Sequence, residues 1–274
     1  MGLPKRILVT FPGKLGDLIY TLPAVIQLKR HLDREVSFQT SPYCRSGQTL
    51  LRAQPCLEEC FIDEGYELEH TRYGCQPWQM AEPSEFRQVF HLGFRPNMLG
   101  RSVLTTHLIE TFFVILERGY GLSLKRNMAE PYLFADKTGQ EDYVVFNGFG
   151  ETLMDLMDPA SMSRLTDLWL NIFARLGREV IIVSGKQEMD FHKRFGLKIV
   201  CPGSLLETAG LISRAKCFIG VQSVCAALAD GLKTPRLIFN WFQNAYPTGP
   251  NALSFTLQDR PETILDSLKT RFGV

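Results

Sequence analysis

The sequence predicts an α/β protein built from two Rossmann-like domains whose parallel sheets face a central cleft. Short apolar, β-branched runs alternate with longer stretches of helical period, which is typical of repeated strand–helix units. The alternation occurs twice, and the segment 130–142, with Pro131, Gly139 and five charged side chains, separates the two series. We therefore expect an N-terminal domain over residues 1–135 and a C-terminal domain over residues 136–274, with the final helix as a segment that could return to the first domain.

The first domain is predicted to contain four strands and three helices. The strands are expected at residues 6–11, 36–40, 60–62 and 88–92. The helices are expected from the end of the loop 12–17 to about residue 31, at residues 47–54 and at residues 105–117. Pro55 and Gly119 would end the second and third helices, and Pro23 would sit in the first turns of the first helix or kink it.

The second domain is predicted to repeat the pattern after the linker. Its strands are expected at residues 143–147, 179–184, 198–201, 217–219 and 236–239. Its helices are expected at residues 161–176, 205–214, 223–232 and 261–271. Ligands of open parallel sheets bind at the carboxyl ends of the strands, so the turns 13–17, 148–150, 185–188 and 220–223 are the candidate binding segments.

The composition is typical of a cytoplasmic globular protein. The chain of 274 residues is 45% hydrophobic, and its 30 Lys and Arg against 29 Asp and Glu leave a net charge of +1. Without a basic excess, nucleic-acid binding is disfavoured. No apolar run has the length of a membrane span, and no secretory pattern precedes the first strand. Seven dispersed cysteines without zinc spacing predict reduced thiols and no metal site.

The loop 13–17 carries the most informative acidic residue. Its two glycines, Gly13 and Gly16, match neither a P-loop nor a dinucleotide fingerprint, and they permit a tight turn with close backbone approach. Asp17 could accept a proton from a substrate hydroxyl, or it could cap the following helix, and spacing alone favours the cap. Lys14 could meet a phosphate or simply be solvated.

The turns of the second domain offer an anion site and a carboxylate. Residues 220–223 precede a helix of small residues, whose N-terminal N–H groups could bind a diphosphate, although the pattern alone favours Ser223 as the cap of a buried helix. Glu188 could bind a ribose or sugar hydroxyl, or lie on the surface as a first-turn carboxylate. Lys186 has the same two interpretations as Lys14.

Two segments in this order resemble glycosyltransferase family 9, the lipopolysaccharide heptosyltransferases. The first, residues 7–30, reads ILVTFPGKLGDLIYTLPAVIQLKR and is similar to the family's GD-hydrophobic-TLPA run after the first strand. The second, residues 204–239, reads SLLETAGLISRAKCFIGVQSVCAALADGLKTPRLIF and is similar to its SLxE, LxxxA and FIGxDSGxxHLAxALxxP stretch. Between them, VIIVSGKQE looks like the family's strand followed by GGxxE.

The resemblance implies a GT-B fold and inverting glycosyl transfer without a metal or other cofactor. The first domain would bind a glycan or glycolipid acceptor, peripherally at the inner membrane where the acceptor is a lipid, and the second a nucleotide-diphosphate sugar, ADP-heptose in the best-known members. Asp17 matches the family's GD aspartate and would be the general base. The donor would be bound by Gly148, Lys186, Glu188, Gly220, Val221, Gln222 and Ser223. The acceptor or phosphate loop would comprise Gly13, Lys14 and Gly16.

The sequence departs from the family pattern at the donor motif. Gln222, Val224 and Ala227 stand where the family has Asp, Gly and His, and the family's lysine has no counterpart in residues 154–159. An Asp-to-Gln change keeps hydrogen bonding but removes a charge. Two alternatives to a transferase therefore follow, a catalytically degenerate GT-B module that binds nucleotide or glycan, and an epimerase of GT-B shape.

Overall fold

The computed structural model describes residues 6–64, 86–93, 108–127, 130–135, 139–240 and 251–274. The chain forms two compact units: the described residues through Phe134 belong to the first, and those from Ala135 onward belong to the second. Each unit contains one sheet, and every strand pair in both sheets is parallel. None of the helices in the described ranges is long and apolar enough to cross a membrane.

The first unit has a four-stranded sheet in the order β3-β2-β1-β4. Its strands are β1 (Arg6–Phe11), β2 (Glu35–Thr40), β3 (Glu59–Ile62) and β4 (Gln88–His91). Its helices are α1 (Leu15–Leu32), a 3-10 helix (Pro42–Gly47), α2 (Gln48–Arg52) and α3 (Leu108–Tyr120). The strands agree with the predicted ones within one residue at each end, because β-branched and apolar runs mark them in the sequence.

Two helices of the first unit differ from expectation at their ends. α1 begins at Leu15 with Lys14 as its N-cap, and Pro23 lies inside the helix. α3 continues through the position of the expected stop, Gly119, and ends before Gly121, whose φ of +69° suits glycine at a helix C-terminus. The first residues of the predicted helix at 105–117 lie outside the described residues.

The second unit has a six-stranded sheet in the order β10-β9-β8-β5-β6-β7. Its strands are β5 (Tyr143–Asn147), β6 (Glu179–Val183), β7 (Lys198–Val200), β8 (Cys217–Val221), β9 (Arg236–Phe239) and β10 (Ala252–Phe255). Its helices are α4 (Glu151–Leu156), α5 (Pro159–Arg175), a 3-10 helix (Lys186–Glu188), α6 (Met189–Lys193), α7 (Leu205–Arg214), α8 (Val224–Leu232) and α9 (Pro261–Phe272). The edge strand β10 and the short helices α4 and α6 were not predicted.

An aromatic cluster fills the core of the second unit. The ring of Phe146 in β5 meets the rings of Trp169, Phe173 and Phe195 with centroids 5.0, 4.7 and 5.2 Å away, all edge to face. α9 packs against α5 and buries Ile264 and Leu268 in the same core. The core thus anchors the strand whose carboxyl end carries the turn 148–150.

The last residues of the first unit are held by one buried glutamine. The backbone N–H of Phe134 donates to Gln54 Oε1 at 2.7 Å, and Gln54 Nε2 donates to the carbonyl of Phe134 at 3.2 Å. Gln54 follows α2 and is fully enclosed. This paired contact fixes one residue of the segment 130–142, which the sequence indicates as a linker.

Candidate functional site

Gly13, in the loop after β1, could not be replaced by another residue unless its neighbours shifted. A Cβ at Gly13 would lie 2.5 Å from the ring of Phe11. The Cys44 thiol, in the 3-10 helix after β2, donates to the Gly13 carbonyl at 3.2 Å. Lys14 is exposed, and Gly16 follows in the first turn of α1.

Asp17 is the third residue of α1, so the interpretation of this residue as the N-cap is wrong: Lys14 occupies that position. The Asp17 side chain is partly buried, and none of the described residues donates a hydrogen bond to its carboxylate. Burial raises the pKa of Asp17 to about 6, against the opposing effect of the Lys14 charge. The carboxylate is therefore a base whose pKa lies just below neutral pH, at the carboxyl end of the first sheet.

Sequence reasoning missed the thiol next to this carboxylate. Burial, with the negative charge of Asp17 adding to it, raises the pKa of Cys44 to about 11. The thiol therefore stays protonated at neutral pH and serves as a hydrogen-bond donor to the loop. No sequence motif marks Cys44, because Gly13 and Asp17, which it contacts or influences, belong to the preceding strand–helix unit.

A row of polar side chains crosses three neighbouring strands of the first sheet. Gln39 in β2 lies beside Thr10 in β1, which lies beside His91 in β4. The Thr10 hydroxyl and His91 Nδ1 are 2.7 Å apart, and the His91 backbone N–H donates to the Tyr120 hydroxyl. Gln39 Oε1 is buried without a hydrogen-bond partner among the described residues. The sequence marks His91 only as a histidine in an apolar segment, for which a core position is favoured over a ligand or base, and it marks neither Thr10 nor Gln39.

Glycines bring the ends of β5 and β8 together in the second unit. Asn147 and Gly220 are register partners, and a Cβ at Gly220 would lie 2.4 Å from the Asn147 carbonyl oxygen. A Cβ at Gly150 would lie 2.9 Å from the carbonyl oxygen of Gln222, and one at Gly148 would meet the Phe146 ring at 2.4 Å. The expected turn 220–223 is shorter than predicted, because β8 continues through Val221.

The turn after β8 leads into the N-terminus of α8. Ser223 is the N-cap, and its hydroxyl accepts from the Ala226 N–H at 3.5 Å. α8 has nine residues and is buried from Cys225 to Leu232. Backbone N–H groups of a first helical turn lack intrahelical acceptors, so this terminus favours an anion.

Glu188 lies at the same edge of the second sheet. Its Oε2 accepts from the Gly185 N–H at 3.2 Å and from Asn147 Nδ2 at 3.3 Å. Burial together with the Glu188 charge raises the pKa of Cys225, in the first turn of α8, to about 12. The carboxylate is thus close enough to the α8 N-terminus to act on it electrostatically. Lys186 is exposed at the start of the 3-10 helix between β6 and α6.

Gln222 is part of a neutral amide pair. Its Nε2 donates to Asn240 Oδ1 at 2.9 Å, which links the residue after β8 to the residue after β9. Ala227, at the position of the family's histidine, is fully buried. Among the described residues, no group of three or more His, Cys, Asp or Glu side chains could hold a metal ion.

The residues expected to bind the donor therefore share one edge of one sheet. The structure collects Gly148, Glu188, Gly220, Val221, Gln222 and Ser223 at the carboxyl ends of β5, β6 and β8. Gly13, Lys14, Gly16 and Asp17 lie at the corresponding edge of the first sheet. The contacts that sequence reasoning missed, those of Asn147 and Asn240, join residues far apart in the chain.

Comparison with known proteins identifies the fold. No family model and no curated protein sequence matches the chain. Solved structures match it over almost its full length. A glycosyl transferase family 9 protein from Veillonella parvula is 15% identical over 99% of this chain and 98% of its own, with a TM-score of 0.67.

Two Escherichia coli enzymes give similar agreement. ADP-heptose lps heptosyltransferase II is 14% identical over 97% of this chain and 98% of its own, with a TM-score of 0.67. Heptosyltransferase WaaC, solved with ADP-2-deoxy-2-fluoro heptose, is 13% identical over 97% of this chain and 99% of its own, with a TM-score of 0.64. The expected resemblance is confirmed at the level of the fold: this chain has the two-sheet α/β fold of family 9 glycosyltransferases, whose typical architecture is GT-B.

Proposed function

We propose that the protein is an inverting glycosyltransferase that moves a heptose or another hexose-like sugar from a nucleotide-diphosphate donor to a glycan or glycolipid acceptor. The observation that carries the proposal is Asp17, a carboxylate that no described residue pairs, with a pKa raised to about 6. Burying a carboxylate without a partner costs stability, and such groups concentrate at functional sites. The fold shared with heptosyltransferases supports the same activity.

The second unit is the donor-binding domain of this proposal. The N–H groups of the first turn of α8 and the Lys186 ammonium would bind the diphosphate, and Glu188 would accept hydrogen bonds from hydroxyls of the donor. Gly148, Gly220 and Val221 would let the donor approach the backbone closely, with Gln222 and Ser223 beside the diphosphate. Structural neighbours solved with ADP or ADP-2-deoxy-2-fluoro heptose support a nucleotide sugar as the donor.

The reaction then needs one proton transfer and one displacement. The acceptor hydroxyl gives its proton to Asp17 while its oxygen attacks the anomeric carbon of the donor. The bond from that carbon to the diphosphate oxygen breaks on the opposite face, so the configuration inverts and the nucleoside diphosphate leaves with both electrons. The helix N-terminus stabilises the charge that develops on the leaving group. The proposal therefore requires Asp17 and the bound donor to meet across the central cleft of a GT-B fold.

The first unit is the acceptor-binding domain of the proposal. Gly13, Lys14 and Gly16 flank the base in sequence, and His91, the partly buried member of the polar row, supplies a hydrogen-bonding group suited to a sugar hydroxyl. A lipopolysaccharide core or another surface glycan would satisfy this chemistry. We place the reaction in the cytoplasm, in keeping with the composition, and at the inner membrane where the acceptor is a lipid.

A second candidate, a module that binds nucleotide or glycan without turnover, is favoured by the amide pair. Gln222 carries no charge, and its side chain is already engaged by Asn240. A turnover assay separates the two functions. Purified protein would be incubated with a panel of nucleotide sugars together with lipopolysaccharide-core and other glycan acceptors. Release of the nucleoside diphosphate would be measured for the wild type and for Asp17→Asn, with exposed Asp266→Asn as the control.

The transferase predicts that Asp17→Asn lowers the turnover rate by about 10²- to 10⁴-fold while nucleotide affinity and the Asp266→Asn control stay unchanged. Binding without turnover in the wild type would favour the module. A C2-epimerised sugar nucleotide would favour an epimerase. Absence of nucleotide binding across the whole panel would overturn the proposal.

A further inference from the structure

We infer that Asn147 is a positioning residue, which orients the Glu188 carboxylate for a vicinal diol of the bound nucleoside or sugar. The inference rests on the proposed function, because it assigns Glu188 to the donor. Asn147 is the last residue of β5 and is buried, and neither composition nor motif spacing marks it. Its side chain donates hydrogen bonds to Val183 and to Glu188, at the sheet edge where the donor is proposed to bind.

Both hydrogens of the Asn147 amide are in use. Nδ2 donates to the Val183 carbonyl at 3.0 Å and to Glu188 Oε2 at 3.3 Å. The first contact ties the end of β5 to the end of the neighbouring strand β6 and fixes the plane of the amide. The second then holds a carboxylate oxygen from a residue 41 positions away in the chain. The same amide group thus connects the sheet to the loop that carries the candidate ligand.

The two donors to Glu188 converge on a single oxygen. Oε2 accepts from the Asn147 amide and from the Gly185 N–H, 3.2 Å away. No hydrogen bond to Oε1 is found among the described residues, and the side chain is only partly buried. Two hydrogen bonds to Oε2 fix the orientation of the carboxylate group. Oε1 is therefore already oriented to accept a hydrogen bond from a ligand. Two adjacent hydroxyls are the ligand chemistry that suits such an acceptor-only group.

The surroundings explain why an amide suits this position better than an acid or a hydrocarbon. A carboxylate at position 147 would lose both donors and place a like charge beside Glu188, which disfavours the ionised form. An apolar residue would leave the Val183 carbonyl without its partner. Asn147→Asp and Asn147→Leu therefore remove the same contact by different means and have nearly the same side-chain size.

The test compares binding of ADP with binding of 2′,3′-dideoxy-ADP by titration calorimetry, and repeats the pair with guanosine and uridine diphosphates. The wild type is expected to prefer the ribose form by about tenfold or more, since hydrogen bonds to a charged group are strong. In Asn147→Leu this preference should fall severalfold while affinity for the dideoxy form is retained. Asn147→Asp should lower the preference as well, although its added negative charge lowers the affinity for both diphosphates. Thermal unfolding of each variant checks that it is folded.

A double-mutant cycle separates positioning from a general effect on the fold. In a Glu188→Ala background, Asn147→Leu should cause no further loss of the preference, because the two residues act through one contact. Additive losses, or an unchanged preference in a folded single variant, would overturn the inference. A wild type that binds ADP without preferring the ribose would also overturn it. A wild type that binds none of the diphosphates would instead contradict the proposed function.

Discussion

Asp17 carries a carboxylate that the fold keeps at an energetic cost. Asp17 is partly buried with a nearby Lys14 charge, yet its pKa stays raised at about 6. Carboxylates that stabilise a fold usually have lowered pKa values. Asp158 is an example, because it is the N-cap of α5, accepts a hydrogen bond from the Ser161 N–H and has a lowered pKa. The raised pKa of Asp17 is therefore what is expected of a general base, and the lowered pKa of Asp158 is what is expected of a stabilising contact.

The pH dependence of turnover is the first consequence. A general base must be ionised in the free enzyme, so kcat/KM should be level above about pH 7 and fall tenfold per pH unit below the pKa of about 6. A pH profile of donor turnover at saturating acceptor checks this. A level profile down to pH 5 would contradict the role of Asp17.

Stability should change in the opposite direction to activity. Because the folded pKa of Asp17 is raised from 3.8 to about 6, its favourable contribution is complete below pH 3.8 and is lost as the pH rises through 6. Asp17→Asn should therefore raise the free energy of unfolding at pH 8 by about 2 kcal/mol, after a small loss of helix-dipole interaction. Urea unfolding at pH 8 and pH 4 measures the difference, which should vanish at the lower pH. Lower stability of the variant at pH 8 would count against this account.

Among the elements of the second unit, glycines set how closely the strand ends of the proposed donor site approach each other. Gly220 lies inside β8, and a Cβ there would lie 2.4 Å from the backbone oxygen of Asn147. Backbone atoms cannot move aside as a flexible side chain can. The site therefore depends on a steric requirement at one strand position.

Gly220→Ala should lower the free energy of unfolding by more than about 2 kcal/mol and weaken nucleotide binding. Gly210→Ala in α7 is the matched control, since nothing lies within 4 Å of its would-be Cβ. That control should be neutral or raise stability by up to about 1 kcal/mol, because alanine is the better helix former. Urea unfolding of both variants decides the point, and equal effects at the two positions would contradict the steric argument.

Most elements were predictable because local patterns define them. β5, α7 and β9 have the bounds read from the sequence, since apolar runs, Ser204 as an N-cap and flanking polar residues mark them locally. β8 was read two residues short, because Gly220 and Val221 were assigned to the turn. The edge strand β10 was missed because its four residues show no clear alternation.

At the scale of the whole molecule, sequence patterns predicted which residues meet at each sheet edge, but not how they are held. Glu188 and the residues before α8 converge because parallel strands end at a common edge. The role of Asn147 could not be predicted, since it depends on a contact across two strands and a loop. The Cys44 contact to Gly13 was missed for the same reason.

We expect nucleotide binding and proton abstraction to belong to different units of the chain. Hydrogen exchange with and without ADP, in the wild type and in Asp17→Asn, shows which unit binds the nucleotide. We predict that ADP slows exchange in the segments 147–150, 185–193 and 220–226 of the second unit, to the same extent in both proteins. Protection confined to the first unit, or loss of protection in Asp17→Asn, would contradict the account.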